Sequence, residues 1–98
     1  MEKVLFTIKY EILPEKREQY LDVIRELKTL IKAEGLESYN VYEVKGKQNN
    51  FQEVYSFVSK QAFEDFDDNP DERVDLLMNK LSDMIKQQST QYTTLFEI

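Results

Sequence analysis

The sequence predicts an α+β fold in which strands and helices follow one another as β-α-β-β-α-β. Two observations carry this prediction. Four segments have the composition or the alternation of strands, and two intervening segments repeat apolar residues at helical spacing. This order is a split pair of βαβ units, the ferredoxin-like plait, in which both helices cover one face of a four-stranded antiparallel sheet.

The first strand has the clearest pattern. Its inward positions would be Val4, Phe6, Ile8, Tyr10 and Ile12, and its outward positions Leu5, Thr7, Lys9 and Glu11. This period of two is typical of a strand with one buried face. Pro14 follows, where a first helical turn tolerates proline, and apolar residues at helical spacing continue towards Gly35. They predict a first helix over residues 14–33.

A hairpin and a second helical region complete the pattern. Residues 36–44 and 51–59 are rich in aromatic and β-branched residues and are separated by the turn-forming segment KGKQNN. A helical turn begins with KQAFEDF, Pro70 interrupts it, and a longer amphipathic helix continues to about residue 88. Residues 91–98 are predicted as the fourth strand.

Length and composition limit the classes of protein to which this chain can belong. With 98 residues, 41% of them hydrophobic and 33% charged, it has the composition of one soluble globular domain over residues 1–98. Its net charge of −6 opposes binding to nucleic acid or to an anionic membrane, because both need a positive protein surface. No apolar run approaches the roughly 18 residues that span a bilayer, and the N-terminal segment alternates, unlike a signal peptide. We therefore expect a cytoplasmic protein without nucleic-acid or membrane partners.

The lack of cysteine and histidine excludes several kinds of site. It removes disulfides, thiolate nucleophiles, iron–sulfur clusters and the commonest metal ligand. The acidic segment 62–73 is the remaining candidate for a metal, since it holds six carboxylates. Asp65, Asp67 and Asn69 match the first ligands of a calcium loop, but Pro70 and Leu76 stand where that loop needs glycine and glutamate. We therefore expect no metal.

The acidic segment is better explained as the start of the second long helix. Asn69 would be its N-cap and Pro70 its first residue. Asp71 and Glu72 would then lie at the positive end of the helix dipole, where carboxylates are stabilising.

One face of the predicted sheet has no helix to cover it. Its residues would be mildly apolar and would include Leu5, Thr7, Val54, Ser56 and Val58. A second copy of the chain is the simplest cover, because a two-fold contact lets one patch serve both subunits. These residues are therefore predicted to form the interface of a homodimer.

The helix-covered face is predicted to hold either a closed core or a ligand pocket. The candidate residues are Phe6, Ile8, Tyr10, Tyr39, Tyr55, Phe57, Phe66 and Met78. Because these side chains are apolar or aromatic, tyrosine hydroxyls would be the only polar contacts there. Between a closed core and a slot for a flat apolar ligand, we expect the closed core.

The segment of residues 34–66, from EGLESYNVYEV to FQEVYSFVSKQAFEDF, resembles the antibiotic biosynthesis monooxygenase-like family of dimeric α+β barrels. The resemblance rests on a glycine before the second strand, a tyrosine within it and the segment SKQAFEDF after the third strand. It implies that two chains pair their sheets into a barrel and that each keeps a pocket between sheet and helices. Enzymes of this family include cofactor-free monooxygenases that act on electron-rich polycyclic aromatics, so the resemblance implies no cofactor.

Three positions depart from the family pattern. Phe57 stands where many members carry a tryptophan, Phe66 where many carry a helix histidine, and the asparagine that some place on strand one has no counterpart. Haem-degrading relatives bind haem through that histidine, so we expect no haem. The resemblance then implies a monooxygenase-like protein with a degenerate active site, or a non-catalytic dimeric barrel that binds a small apolar or aromatic molecule. These two alternatives leave open whether the chain is an enzyme.

Overall fold

The computed structural model describes residues 2–66 and 71–98 of the chain. The strands are β1 Val4–Glu11, β2 Leu36–Glu43, β3 Asn50–Phe57 and β4 Gln91–Phe96. The helices are α1 Arg17–Leu30, α2 Lys60–Asp65 and α3 Glu72–Ser82, and a single 3-10 turn, Pro14–Lys16, precedes α1. Within the described ranges, none of the helices is both long and apolar enough to span a bilayer.

The four strands form one antiparallel sheet in the order β2-β3-β1-β4. This is the strand order of the ferredoxin-like plait, so the predicted fold class is confirmed. The register places Phe6 opposite Tyr55 and Ile8 opposite Glu53. Even-numbered residues of β1 therefore share a face with odd-numbered residues of β3, because side chains alternate along a strand.

Helices α1 and α3 contact each other and cover this face of the sheet. From α1 the core receives Tyr20, Val23, Ile24 and Leu27, and from α3 it receives Val74, Leu77 and Leu81. Their spacing of three and four residues sets one apolar stripe on each helix. Burial of these stripes against the central strands β1 and β3 is the main stabilising contribution to the fold.

The helices end earlier than the sequence predicts. The first helix was expected over residues 14–33, but α1 ends at Leu30 because Ile31 takes an extended backbone with ψ 105°. The second long helix was expected to reach about residue 88, but α3 ends at Ser82. Beyond it, Ile85 forms a β-bridge with Ile12, and the Lys86 amide donates to the Glu11 carbonyl at 2.8 Å. Ile85 therefore pairs with the residue after β1 and is not part of the helix, although its spacing from Leu81 is helical.

Gly35 and Ser59 fix where β2 and α2 begin. Gly35 has a φ of +83°, and a Cβ atom there would lie 2.4 Å from the Ala62 Cβ atom. Glycine is therefore required both for the backbone conformation and for the close approach of α2. The Ser59 hydroxyl caps α2 by accepting a hydrogen bond from the Ala62 amide at 3.1 Å.

The acidic segment joins α2 to α3. Asp71 is the N-cap of α3, and its carboxylate accepts a hydrogen bond from the Arg73 amide at 2.8 Å. The helix therefore begins at Glu72, two residues later than predicted, while the predicted cap Asn69 and first residue Pro70 lie outside the described residues. In the part of the chain that the structure describes, no group of three or more carboxylates is arranged to hold a metal ion.

Candidate functional site

A cavity of about 690 Å³ lies between the sheet and the helices α2 and α3. Strands β1 and β3 form its floor, and residues from α2, α3 and the loop after α3 form its sides. Its size is in the range of small-molecule sites. This half-open cavity favours a pocket over the expected closed core, and the choice between the two stays a prediction.

Aromatic rings dominate the inner wall of the cavity. The Phe6 ring is central to it, with ring centroids 5.8 Å from both Tyr55 and Phe63. Tyr92 of β4 stacks on Phe6 at 6.2 Å with an interplanar angle of 15°. Such a wall offers flat apolar surface to a ring system.

The structure brings together most of the residues that the sequence predicts for a pocket. The cavity is lined by six of them: Phe6, Ile8, Tyr10, Tyr55, Phe66 and Met78. Phe57 is fully buried behind the wall, where its ring contacts those of Phe63 and Phe66 at 5.5 and 5.2 Å. Tyr39 is buried on β2 with its ring 4.8 Å from that of Tyr55. Contact of any of these residues with a ligand stays a prediction.

Glu53 is a site residue that the prediction missed. It lies on β3 opposite Ile8 and Val41, lines the cavity, and is only 2% exposed. The alternation in NFQEVYSF was the available signal, because Glu53 shares its face with Phe51, Tyr55 and Phe57. The prediction that tyrosine hydroxyls are the only polar groups at the cavity is therefore wrong, because the Glu53 carboxyl group also lines it.

Two tyrosines hydrogen-bond to the Glu53 carboxyl group, and a third lies behind them. The Tyr39 hydroxyl donates to Glu53 Oε1 at 2.7 Å, and Tyr10 also forms a hydrogen bond with the carboxyl group. The Tyr10 hydroxyl in turn lies 2.7 Å from the Tyr20 hydroxyl of α1. Among the described residues, no buried side-chain nitrogen or oxygen atom lacks a hydrogen-bond partner. The network therefore joins β1, β2, β3 and α1.

Burial determines the protonation properties of this network. Loss of hydration raises the pKa of Glu53, and the hydrogen bonds with Tyr10 and Tyr39 oppose this effect without cancelling it. Burial also raises the pKa of Tyr10 and of Tyr39, so both hydroxyls stay neutral and can donate. A carboxyl group with a raised pKa in an apolar cavity can exchange a proton with a bound molecule.

Polar side chains form the outer part of the cavity. They come from the end of α3 and the loop that follows, and comprise Ser82, Lys86, Gln87, Gln88 and Thr90. The Lys86 ammonium group is paired with the Glu11 carboxylate at 2.9 Å. The cavity therefore combines an aromatic interior with a polar rim.

The face of the sheet without helices carries the predicted interface residues. The register places Leu5 beside Ser56 and Thr7 beside Val54, on the side opposite to Glu53. Leu5 is exposed, whereas the Thr7 side chain is buried and donates to the Thr93 carbonyl at 3.2 Å. Val58 is exposed just beyond the end of β3. Their part in a dimer stays a prediction.

The fold is similar to that of several solved structures. No family model matches the chain, and no curated protein matches it. A conserved protein from Methanosarcina mazei Go1 superposes with a TM-score of 0.78 at 16% identity, over 97% of this chain and 92% of the other. Two structures provisionally assigned as antibiotic biosynthesis monooxygenases also superpose. The one from Caulobacter crescentus CB15 has a TM-score of 0.78 at 11% identity over 98% and 90% of the chains. The one from Nitrosomonas europaea has a TM-score of 0.77 at 7% identity over 95% and 88%.

These likenesses concern the backbone, since few residues are identical. They cover nearly the whole chain, including the sheet and the helices that enclose the cavity. They therefore confirm the ferredoxin-like fold that the sequence predicts, and the chain shares this fold with structures provisionally assigned as antibiotic biosynthesis monooxygenases.

Proposed function

We propose that this chain is a cofactor-independent, monooxygenase-like protein that holds an electron-rich aromatic molecule in the cavity, with Glu53 as its general base. The observation that carries the proposal is a buried carboxyl group with a raised pKa at an aromatic-walled cavity. Such a group is costly to bury, and carboxyl groups with shifted pKa values cluster at functional sites. The likeness to structures assigned as monooxygenases supports the same reaction class.

The proposed reaction needs a substrate with an acidic carbon, such as a ring methylene next to an aromatic ketone. Glu53 removes a proton from that carbon, and the resulting carbanion transfers one electron to O₂. The carbon radical and the superoxide formed by transfer of one electron combine in a new C–O bond, and the resulting peroxide anion takes back a proton from Glu53. The hydroperoxide then loses water and leaves a second ketone, so that R₂CH₂ + O₂ gives R₂C=O + H₂O. The protein supplies orientation and the base, while O₂ is the oxidant.

The tyrosines would assist this proton transfer. Tyr10 and Tyr39 both hydrogen-bond to Glu53, and these bonds strengthen when the carboxylate is ionised. Glu53 thereby takes the place of polar groups that relatives carry at the positions of Phe57 and Phe66. The active site would be rebuilt on β3 and not simply lost.

A non-catalytic binding protein is the second candidate. The aromatic wall of Phe6, Tyr55, Phe63 and Tyr92 favours it, because these rings would hold a flat molecule whether or not Glu53 reacts. In that case Glu53 would only form a hydrogen bond with a polar group of the ligand. Both candidates use the same cavity.

The proposal includes a homodimer formed through the helix-free faces of two sheets. Leu5 and Leu95, which are neighbours across β1 and β4, are both exposed on this face. A dimer would cover them and leave the cavity of each chain on the opposite side of its sheet.

Oxidation of anthrone to the quinone in air tests the proposed reaction. The purified protein is mixed with anthrone in air, and quinone formation is followed by absorbance for the wild type and Glu53→Gln. Because amide nitrogen cannot act as the base, we expect kcat to fall about 10²- to 10⁴-fold in the variant. Glu64→Gln is the matched control, since Glu64 is exposed on α2 and does not line the cavity.

The two candidates give different results in this experiment. Equal quinone formation by the wild type and Glu53→Gln would contradict a catalytic role for Glu53. Saturable binding of anthrone without turnover in either protein would favour the binding candidate. Absence of both binding and turnover across a panel of aromatic ketones would overturn both candidates.

A further inference from the structure

We infer that Tyr20 of α1 is a positioning residue for Glu53, which it reaches through the hydroxyl group of Tyr10. This inference rests on the proposed function only in giving Glu53 a purpose, because the network can be measured without substrate. Tyr20 does not line the cavity, so it would act on the carboxyl group from behind the wall.

The charge on an ionised Glu53 sets the direction of the hydrogen bonds, because either hydroxyl of the Tyr10–Tyr20 pair can donate. The Tyr10 hydroxyl has one hydrogen atom, and when Glu53 is ionised that hydrogen must point at the carboxylate, which can only accept. The Tyr10 oxygen then accepts from the Tyr20 hydroxyl, 2.7 Å away. Donation by Tyr20 polarises the Tyr10 hydroxyl and makes it a stronger donor to Glu53.

Packing alone does not explain the Tyr20 hydroxyl. The Tyr20 ring lies 4.5 Å from the Phe51 ring and is fully buried, and a phenylalanine would make the same ring contact. A buried hydroxyl is costly unless it is hydrogen-bonded. Here its partner is the tyrosine that hydrogen-bonds to the buried carboxyl group.

Charged and titratable groups face this network from each neighbouring element. From β2, Tyr39 donates to Glu53, and the Glu43 carboxylate acts on Tyr20 through space. From the loop after α3, Lys86 lines the same cavity but is paired with Glu11. The remaining lining from α3 is Met78, Leu81 and Ser82, which do not titrate. Tyr10 and Tyr39 are therefore the groups that hydrogen-bond to Glu53, whereas the Lys86 ammonium group pairs with Glu11.

The test is the titration of Glu53 followed by NMR of ¹³C-labelled glutamate side chains, with the signal assigned by its loss in Glu53→Gln. Tyr20→Phe removes only the remote hydroxyl, and Tyr10→Phe removes the middle link. We expect the midpoint to move to higher pH in Tyr20→Phe and further in Tyr10→Phe, since each change weakens donation to the carboxylate. Tyr42→Phe, at an exposed position on the other face of the sheet, should leave it unchanged.

A double variant separates action through Tyr10 from a general effect on the fold. If Tyr20 acts through Tyr10, the double change Tyr10→Phe/Tyr20→Phe should have the midpoint of Tyr10→Phe alone. A wild-type Glu53 midpoint in a folded Tyr20→Phe, or additive shifts in the double variant, would overturn the inference. If Tyr20→Phe does not fold, the NMR signal of the Tyr20 hydroxyl proton is followed in the wild type instead. The inference requires this signal to move as Glu53 titrates.

The outcomes for the network and for the reaction are independent. Shifted midpoints without turnover of any aromatic ketone would support the role of Tyr20 and contradict the proposed function. Turnover that depends on Glu53, with the same Glu53 midpoint in the wild type and the tyrosine variants, would support the proposed function and contradict the role of Tyr20. Where turnover is found, kcat should rise at a higher pH in Tyr20→Phe than in the wild type, in step with the higher midpoint of Glu53 titration.

Discussion

At the scale of single residues, Glu53 and Glu43 show how position on the same sheet reverses the behaviour of a carboxyl group. Glu53 is buried under the helices, and this burial raises its pKa. Glu43 lies at the end of β2, where hydrogen bonds from the Arg17 guanidinium, at 2.6 and 2.9 Å, lower its pKa to about 2. Burial disfavours the charged form of Glu53, whereas the Arg17 cation favours the charged form of Glu43.

The raised pKa of Glu53 predicts how stability changes with pH. Between the unfolded value near 4.5 and the higher folded value, the folded chain keeps a proton that the unfolded chain has released. The contribution of Glu53 is therefore present at low pH and is lost as pH rises through this interval. Urea unfolding of the wild type and Glu53→Gln should show the free energy of unfolding of the wild type falling, relative to the variant, as pH rises above about 4.5.

The choice of pH range keeps other carboxylates out of this comparison. Because the pKa of Glu43 is lowered to about 2, its stabilising contribution is lost only as pH falls below about 4.5. A scan from pH 5 upward thus reports on Glu53, with Glu64→Gln as the control. Parallel curves for the wild type and Glu53→Gln would mean that Glu53 has an ordinary pKa in the folded chain.

At the scale of elements, the alternation of residues predicts more than the helix ends do. The alternation of odd- and even-numbered residues in β1 and β3 correctly separates the helix-covered face of the sheet from the open face, because side chains must alternate along a strand. The ends of α1 and α3 could not be predicted, since they depend on Ile31 leaving the helix and on Ile85 pairing with Ile12. The second is a contact between segments far apart in sequence, and the first is a change of backbone conformation that the apolar spacing does not reveal.

The cavity itself was beyond prediction for a related reason. Its volume depends on how closely α2 and α3 approach the sheet, and this follows from contacts such as that of Gly35 with Ala62. Sequence patterns identified most of its lining residues but not the unfilled space between them. Glu53 could have been found from the strand alternation, because a carboxylate among Phe51, Tyr55 and Phe57 breaks the apolar face.

Phe57 and Phe66 provide a matched pair to test the position of the cavity wall. Phe57 is fully buried behind the wall, whereas Phe66 is partly exposed and lines the cavity. Phe57→Ala should therefore lower the free energy of unfolding by about 3–5 kcal/mol, as large-to-small changes in cores do. Phe66→Ala should cost about 1–2 kcal/mol, because part of the ring already faces open space.

Chemical denaturation measures both costs, and binding of an aromatic ligand distinguishes the two residues further. Affinity should change in Phe66→Ala and stay near the wild-type value in Phe57→Ala if that variant remains folded. Equal stability losses of 3 kcal/mol or more in both variants would place Phe66 in a closed core.

At the scale of the whole molecule, the two faces of the sheet differ in what covers them. The inner face meets the helices, while the open face carries Leu5, Val54 and Leu95 on adjacent strands. A chain of 98 residues has a small core, so covering this face with a second copy would add buried apolar area. The net charge of −6 opposes close association, and the apolar face would have to outweigh that repulsion.

We predict that the open face is the contact surface of a homodimer and that Val54→Glu disrupts it. Val54 lies on the central strand β3 between Thr7 and Asn40, so a two-fold contact brings both copies of the new carboxylate into the apolar interface. Gel filtration with light scattering should give about twice 11.7 kDa for the wild type at tens of micromolar protein, and a mass shifted towards 11.7 kDa for the variant. Leu76→Glu is the control, because Leu76 is exposed on α3, away from the sheet, and should leave the mass unchanged. A wild-type mass of 11.7 kDa at these concentrations would show that the open face stays in contact with solvent.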